Sequence, residues 1–502
     1  MRNLLRAAAF LLVGLAASLQ ALADEAPFTA APKPVFPLTI GMVADSQITT
    51  VQGAWDYGMR RKYADRFAGV AIRPPAVEYL SDLMLDRFLR KLEQEKVDVI
   101  LYLGDGANSG CKDELDKVFS ILDAARKRSG IPSYYVIGNH DYMGTGNQVK
   151  SSIRAQLCSS EGRSNPAETK LQVLTRISEH NAGNKPLDKF FDYKEVQTKS
   201  TSRFAATDCG DDDNTHYTYR QTASLVSKAG SASVVELFLL DTSDYRDVWF
   251  KPVVSSEASG CEILGGWGVK GSVSYEKNSK GSQIDDFVQV AKSNPDFRLM
   301  ASHYRPTDMN ALVPFGMSAS FVRDALGDLL SKGDNVWLSG HTHTCNPQIE
   351  RFRVGRTLSK TKGDIDGVNV GSTTDYNAHA VVVGPYTGGT GRVGKTGLSY
   401  RKIPYSQPSG LCDAVNVLAE QRESSFTPIC GSRSYKTALG IDKKYQQRCF
   451  QQADVANARS NIDLFAADAA TALATSPDEV KACLAYAGSK REGLGKTCVE
   501  PR

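Results

Sequence analysis

Apolar runs of strand length fall at 38–44, 99–103, 133–137, 234–240, 297–300 and 336–338, and polar or periodic stretches separate them. The spacing after Pro74-Pro75 is helical: Val77, Leu80, Met84, Phe88 and Leu92 share one face, as in a helix packed on a core. A second helix is predicted over about 112–127. The opening is therefore β-α-β-α-β, which predicts right-handed crossovers and largely parallel pairing. Shorter helices are predicted over about 282–291 and 321–330, each ahead of an apolar run. The later runs 349–354, 368–371, 379–383 and 398–403 read as a meander of short strands completing a second sheet.

The rhythm breaks in three places. Residues 49–73 mix Gly, Arg and Tyr without periodicity and read as a loop over a site. Between 142 and 233 the alternation lapses, which predicts an insertion forming a cap or wall. Its segment 208–214 carries four aspartates and reads as a solvated turn, because the full ligand spacing of a calcium loop is absent. At 405–410 Gln, Pro, Ser and Gly cluster. Beyond, 411–502 predicts a cysteine-containing helical module, with Ser476-Pro477-Asp478-Glu479 as a helix start. That module offers no catalytic constellation and is a candidate partner surface.

Composition adds a compartment. Arg2 and Arg6 precede an apolar run, and Ala21-Leu22-Ala23 forms a small-x-small cleavage site, so 1–23 reads as a signal peptide and 24–405 as the main domain. The expected location is periplasmic or secreted. The ten cysteines fit an oxidising compartment. Five precede residue 400 and five follow, so complete pairing requires at least one bridge between the two regions. The formal charge of +4 falls to +2 without the two leader arginines, too little to argue for nucleic acid or an anionic membrane.

Candidate chemistry sits at the strand ends. Asp45-Ser46-Gln47 closes the first run and Gly104-Asp105 the second; Gly138-Asn139-His140-Asp141 closes the third. Ala301-Ser302-His303 and Gly340-His341-Thr342-His343 close two later runs. In an α/β sheet such tips can share one crevice beyond the carboxyl ends of the strands. Four of the seven histidines stand at these tips, whereas His180, His216 and His379 read as satisfied structural residues.

In order and spacing these motifs resemble the calcineurin-like metallophosphoesterases, whose pattern is D-x-H, G-D-x-x, G-N-H-D/E, a lone His and G-H-x-H. The resemblance covers 37 to about 405, with Gln47 in place of the first histidine. It implies a four-layer α/β/β/α sandwich and two divalent metal ions, drawn from Mn, Fe, Zn or Mg. By that pattern Asp105 bridges the ions, Asp45, Gln47 and His343 complete one, and Asn139, His303 and His341 complete the other. His140 would be the general acid, with Asp141 orienting it. Gln47 is a neutral ligand, weaker than imidazole, and favours Mn or Mg over Zn. Asn108 stands where purple acid phosphatases carry an iron-binding tyrosine, so no iron-tyrosinate centre is expected; Asn108 and Arg305 are candidate substrate contacts. The implied reaction is hydrolysis of a phosphate ester, monoesters before diesters, by hydroxide bridging the ions. Two alternatives stand beside it: a phosphodiesterase or nuclease, and a non-catalytic binding protein on the same scaffold.

Overall fold

Most of the apolar runs become strands where the pattern places them. The computed structural model describes residues 36–50, 80–144, 146, 154–155, 158, 166–199, 219–231, 233–244, 250–254, 259–263, 271, 283–291, 295–308, 334–354, 363–374, 378–385, 391–393, 398–406, 409–421 and 452–489. The expected signal peptide, the loop from residue 51 on, the aspartate run 208–214 and the helix at 321–330 lie outside these. In chain order the strands and helices are β1 (Ile40–Val43), α1 (Ser81–Gln94), β2 (Val99–Tyr102), α2 (Lys112–Ser129), β3 (Ser133–Tyr135), α3 (Lys170–Ala182), β4 (Phe191–Lys199), β5 (Tyr219–Ser227) and β6 (Val235–Leu240). There follow β7 (Phe250–Val254), β8 (Ser259–Ile263), α4 (Gln283–Val290), β9 (Phe297–Ser302), β10 (Asp334–Ser339), β11 (Gln348–Val354), β12 (Gly363–Asn369), β13 (His379–Gly384), β14 (Gly391–Val393) and β15 (Leu398–Pro404). The last helices are α5 (Ser409–Gln421), α6 (Gln452–Ala472) and α7 (Pro477–Ser489).

Two large sheets form a mixed α/β fold, ordered β14-β15-β13-β1-β2-β3 and β11-β12-β10-β9-β6-β5-β4. The expected parallel opening is present: β1, β2 and β3 pair in parallel. In the second sheet β6, β9, β10 and β12 do the same. The expected meander is divided between the sheets. β11 and β12 join the second, whereas β13 lies antiparallel to β1 and carries β15 and β14 on the first. The reason is burial on both faces: Val381 and Val383 point into the core between the sheets, Ala380 and Val382 into the core under the helices. A run apolar on both sides needs an interior position.

The expected insertion at 142–233 contributes, in its described part, to the fold itself. It supplies α3 together with β4 and β5, which extend the second sheet from β6. Phe191 and Tyr193 of β4 are buried while Asp192 and Lys194 are exposed. This is the alternation of a strand with one wet face. Thr169 caps α3 in a reciprocal box with Gln172.

On α1, Met84, Leu85, Phe88, Leu89 and Leu92 are fully buried, each worth roughly 1.5–3 kcal/mol. Val415, Ile462, Phe465, Val480 and Leu484 of the last three helices enter the same core. Phe88 also meets the Tyr405 ring at 5.4 Å, and Arg87 pairs with Glu479. The C-terminal helices are thus packed on α1 and share its core. Cys412–Cys483 ties α5 to α7, and Cys111–Cys158 fixes the start of α2; each lies within its own half of the chain. Among the described residues no helix is long and apolar enough to cross a membrane.

Candidate metal centre

The tips of five strands, three from one sheet and two from the other, meet at one place. Asp45 follows β1, Asp105 follows β2 and Asn139 follows β3, while His303 follows β9 and His341 and His343 follow β10. The loops after β1 and β2 continue side by side, with Asp45 N donating to Gly104 O (3.0 Å) and Gln47 N to Asp105 O (2.9 Å). Holding these side chains together strains the backbone. Asp45, Gln47, Asp105, His341 and His343 all have left-handed φ, between 41° and 71°; the other two described non-glycine residues of this kind are Lys96 and Ala474. Such a conformation costs of order 1–3 kcal/mol per residue and clusters at functional sites. Glycines permit the close approach: a Cβ on Gly138 would lie 2.1 Å from Asp105 Oδ1, and one on Gly340 2.7 Å from Ala44 Cβ. Gly340 therefore makes room, and the turn falls on His341 and His343 themselves.

The side chains form two groups that share a carboxylate. Asp105, His303 and His341 make one, Asp45, Asp105 and His343 the other, the candidate ligand atoms of each lying within 4.8 Å of one another. Gln47 Nε2 is 3.4 Å from both Asp105 Oδ2 and His343 Nε2; turning the amide end for end puts its oxygen there. Asn139 joins the first group, its Oδ1 3.1 Å from His303 Nε2.

These residues fit a cation. Asn139 Nδ2 donates to Gly146 O (2.8 Å) and the His303 Nδ1 proton goes to Leu103 O (2.8 Å). Asn139 Oδ1 and His303 Nε2 are left facing each other as two acceptors. Asp45 and Asp105 are buried, and among the described residues their ion-pair partners are histidines and no lysine or arginine. Uncompensated buried carboxylates are costly, so positive charge belongs between them.

Without metal a proton takes that role. Burial lowers the His303 pKa, but the charge and hydrogen bond of Asp105 outweigh it and raise it to about 9. Burial raises the Asp105 carboxyl, and the imidazoles of His303, His140 and His341 overcome this and hold it below the usual range. His341 is pushed well down, by burial and then by the charge of His303. The His303 contribution to metal-free stability is thus full below about 6.5 and lost as pH rises through about 9. Metal must displace this proton, so apparent metal affinity is expected to rise about tenfold per pH unit toward pH 9. Competition with a chromogenic chelator measures this, and a flat profile would remove His303 from the ligand set.

Two assignments made from the sequence need correction. Asp141 does not orient His140. Its carboxylate accepts from Gly138 N (2.8 Å), Gly106 N (2.9 Å), Asp105 N (3.1 Å), Ala107 N (3.1 Å) and the Tyr135 hydroxyl (2.7 Å). It clasps the loops after β2 and β3 together; burial and the Asp105 charge push its pKa up to about 7 against those donors. The His140 ring is held by Asn108 O, 2.7 Å from Nδ1. Arg305 is engaged elsewhere: Asp308 and Glu350 pair with it and Gln348 Oε1 accepts from it at 2.8 Å. Two carboxylates neutralise the guanidinium, which disfavours it as a phosphate contact. Asn108 is buried, and its Nδ2 has no hydrogen-bond partner.

One support was missed in the sequence. Ser372 Oγ donates to Asp45 O (2.7 Å), and Thr374 Oγ1 reaches Asp45 O and Ser46 O (3.3 Å each). These hydroxyls hold the strained Asp45 backbone. The signal was present: Gly371-Ser372-Thr373-Thr374 is another polar cluster ending an apolar run. His180 and His379 are structural as expected, bonding Ser133 and Asp123 in the first case and Gly371 N in the second.

No protein-family model and no curated protein matches the chain. Among solved structures it is similar to a dimetal phosphatase from Danio rerio, at 14% identity and TM-score 0.35 over 74% of this chain and 100% of that one. It is also similar to PhoD, at 14% and 0.31 over 68% of this chain and 58% of that one. A 5'-nucleotidase from Candida albicans SC5314 matches at 10% and 0.30, over 87% of this chain and 59% of that one.

Proposed function

We propose that this chain is an exported, binuclear metal-dependent phosphoesterase that prefers phosphomonoesters. The observation that carries the reading is the pair of ligand groups sharing Asp105. In this reading Asp105 would be shared by the two ions, with Asp45, Gln47 and His343 available to hold one and Asn139, His303 and His341 the other. When bound, two such ions would neutralise phosphate oxygens and lower the pKa of a bound water.

The chain's own residues do the rest. His140 Nδ1 is committed to Asn108 O, so Nε2 is the atom that carries a proton to the leaving oxygen, as general acid. The unsatisfied Asn108 Nδ2 is a donor suited to a phosphate oxygen. Asp141 is a positioning residue, because its bonds set the loop that carries Asp105. Export is supported by the two described disulfides. The α/β/β/α stacking expected of such an enzyme is supported by α4, whose Phe287 packs on Phe238 of β6 (4.6 Å). A decayed, purely binding scaffold would have lost ligands, and here one position, Gln47, departs from the pattern.

The test uses the full chain, stripped by chelator and then given Mn, Zn or Mg, with a chromogenic phosphomonoester and the matching diester. Metal-restored turnover, faster on the monoester, is expected. A preference for the diester would shift the reading to a diesterase; no turnover on either with metal bound would contradict it.

A further inference from the structure

The turn that follows the β3 tip carries more than its ligand. Met143 N donates to Asn139 O (3.0 Å) and Gly146 N to Met143 O (2.9 Å), which brings the chain back over Asn139 and His140. Tyr142 and Met143 are buried, and the Tyr142 hydroxyl donates to Ser243 O (2.9 Å), so the turn is anchored in the interior. Gly146 has a φ of 82°, a left-handed conformation that glycine adopts without steric cost.

Two contacts converge on Gly146. Its carbonyl accepts from Asn139 Nδ2 (2.8 Å), which turns Asn139 Oδ1 toward His303 Nε2 (3.1 Å). Its missing side chain matters as much, since a Cβ there would lie 2.3 Å from His140 Nε2, 2.5 Å from His140 Cδ2 and 2.6 Å from Asn139 Nδ2. At such distances something must move. The His140 ring is half-buried on a rotatable side chain whereas the turn is anchored, so the ring gives way. Its Nδ1 bond to Asn108 O (2.7 Å) would go with it.

We propose that Gly146 is a positioning residue for leaving-group protonation, keeping the Nε2 edge of His140 clear for the leaving oxygen. The inference rests on the phosphoesterase reading above. As the P–O bond breaks, its electron pair goes to the leaving oxygen, which takes the Nε2 proton and departs as an alcohol. Water supplies the oxygen of the new P–O bond, and its proton restores the imidazole. Alkyl esters depend most on this proton, whereas a nitrophenyl group, stable as an anion, departs with little help.

The test compares Gly146→Ala with Gly230→Ala in the metal-loaded full chain. Gly230 has a φ of 89°, and a Cβ there meets nothing within 4 Å among the described residues. Both changes therefore carry the cost of a left-handed alanine, and only the first crowds His140. At saturating Mn, Gly146→Ala should lower kcat on an alkyl phosphate at least about 10²-fold and on a nitrophenyl phosphate less than about tenfold. Gly230→Ala should lower neither. Equal losses on the two esters in Gly146→Ala would overturn the proposal. A second measurement needs no turnover: the imidazole nitrogen NMR resonances of the Zn-loaded chain, with His140 identified by His140→Gln. The His140 signals should shift in Gly146→Ala and stay in place in Gly230→Ala. A parent chain inactive on both esters would contradict the phosphoesterase reading, whereas an unshifted His140 ring in Gly146→Ala would overturn the role of Gly146 whether or not the chain turns over.

Discussion

Asp105→Asn is expected to abolish turnover, by at least about 10³-fold, and to lower the metal content of both positions together. The reason is geometric. Asp105 is the one residue common to the two ligand groups, and its Oδ1 accepts from His140 N at 2.8 Å while Oδ2 lies 3.2 Å from His303 Nε2. An amide keeps the size but brings one neutral oxygen and an NH2 that repels a cation. Metal analysis and steady-state kinetics on the same preparation check this. If one ion stays at full affinity, Asp105 serves a single ion and the bridging role is wrong.

Asp141→Ala is expected to destabilise the protein by about 3–5 kcal/mol and to weaken metal binding while leaving every candidate ligand side chain in place. Its carboxylate satisfies four backbone N–H groups and a tyrosine hydroxyl, all buried. Each orphaned donor costs about 1–3 kcal/mol, less than additively once the loops relax. Gly106 N also bonds the Tyr135 hydroxyl at 2.9 Å, so part of the loop remains anchored. Denaturant midpoints and chelator competition measure the two effects. Unchanged stability would show that the clasp is dispensable.

The metal-binding residue types were legible because the signal is local: an apolar run ends abruptly in Asp, Asn or His, five times in order. The stripe on α1 was equally plain. What stayed hidden depends on distant partners. Nothing beside Asp141 in the sequence shows that its acceptors serve N–H groups from residues 105–107, so it looked like a partner for the neighbouring histidine. Arg305 looked available because Glu350, one of its acids, stands 45 residues on. The edge strands β4 and β5 were obscured by charged outer positions, which resemble loop composition until the buried alternation of Phe191 and Tyr193 is seen. β13 was assigned to the wrong sheet because an apolar run announces burial without naming its neighbour. The left-handed turns at His341 and His343 were likewise invisible, since that conformation is uncommon for any residue but glycine and no local pattern announces it.

The proposed binuclear centre is tested most directly by counting metal. The full chain, stripped and dialysed against saturating Mn or Zn, should hold two ions at this centre, both lost together in Asp105→Asn. One ion or none in the parent chain under the same conditions would contradict the binuclear reading.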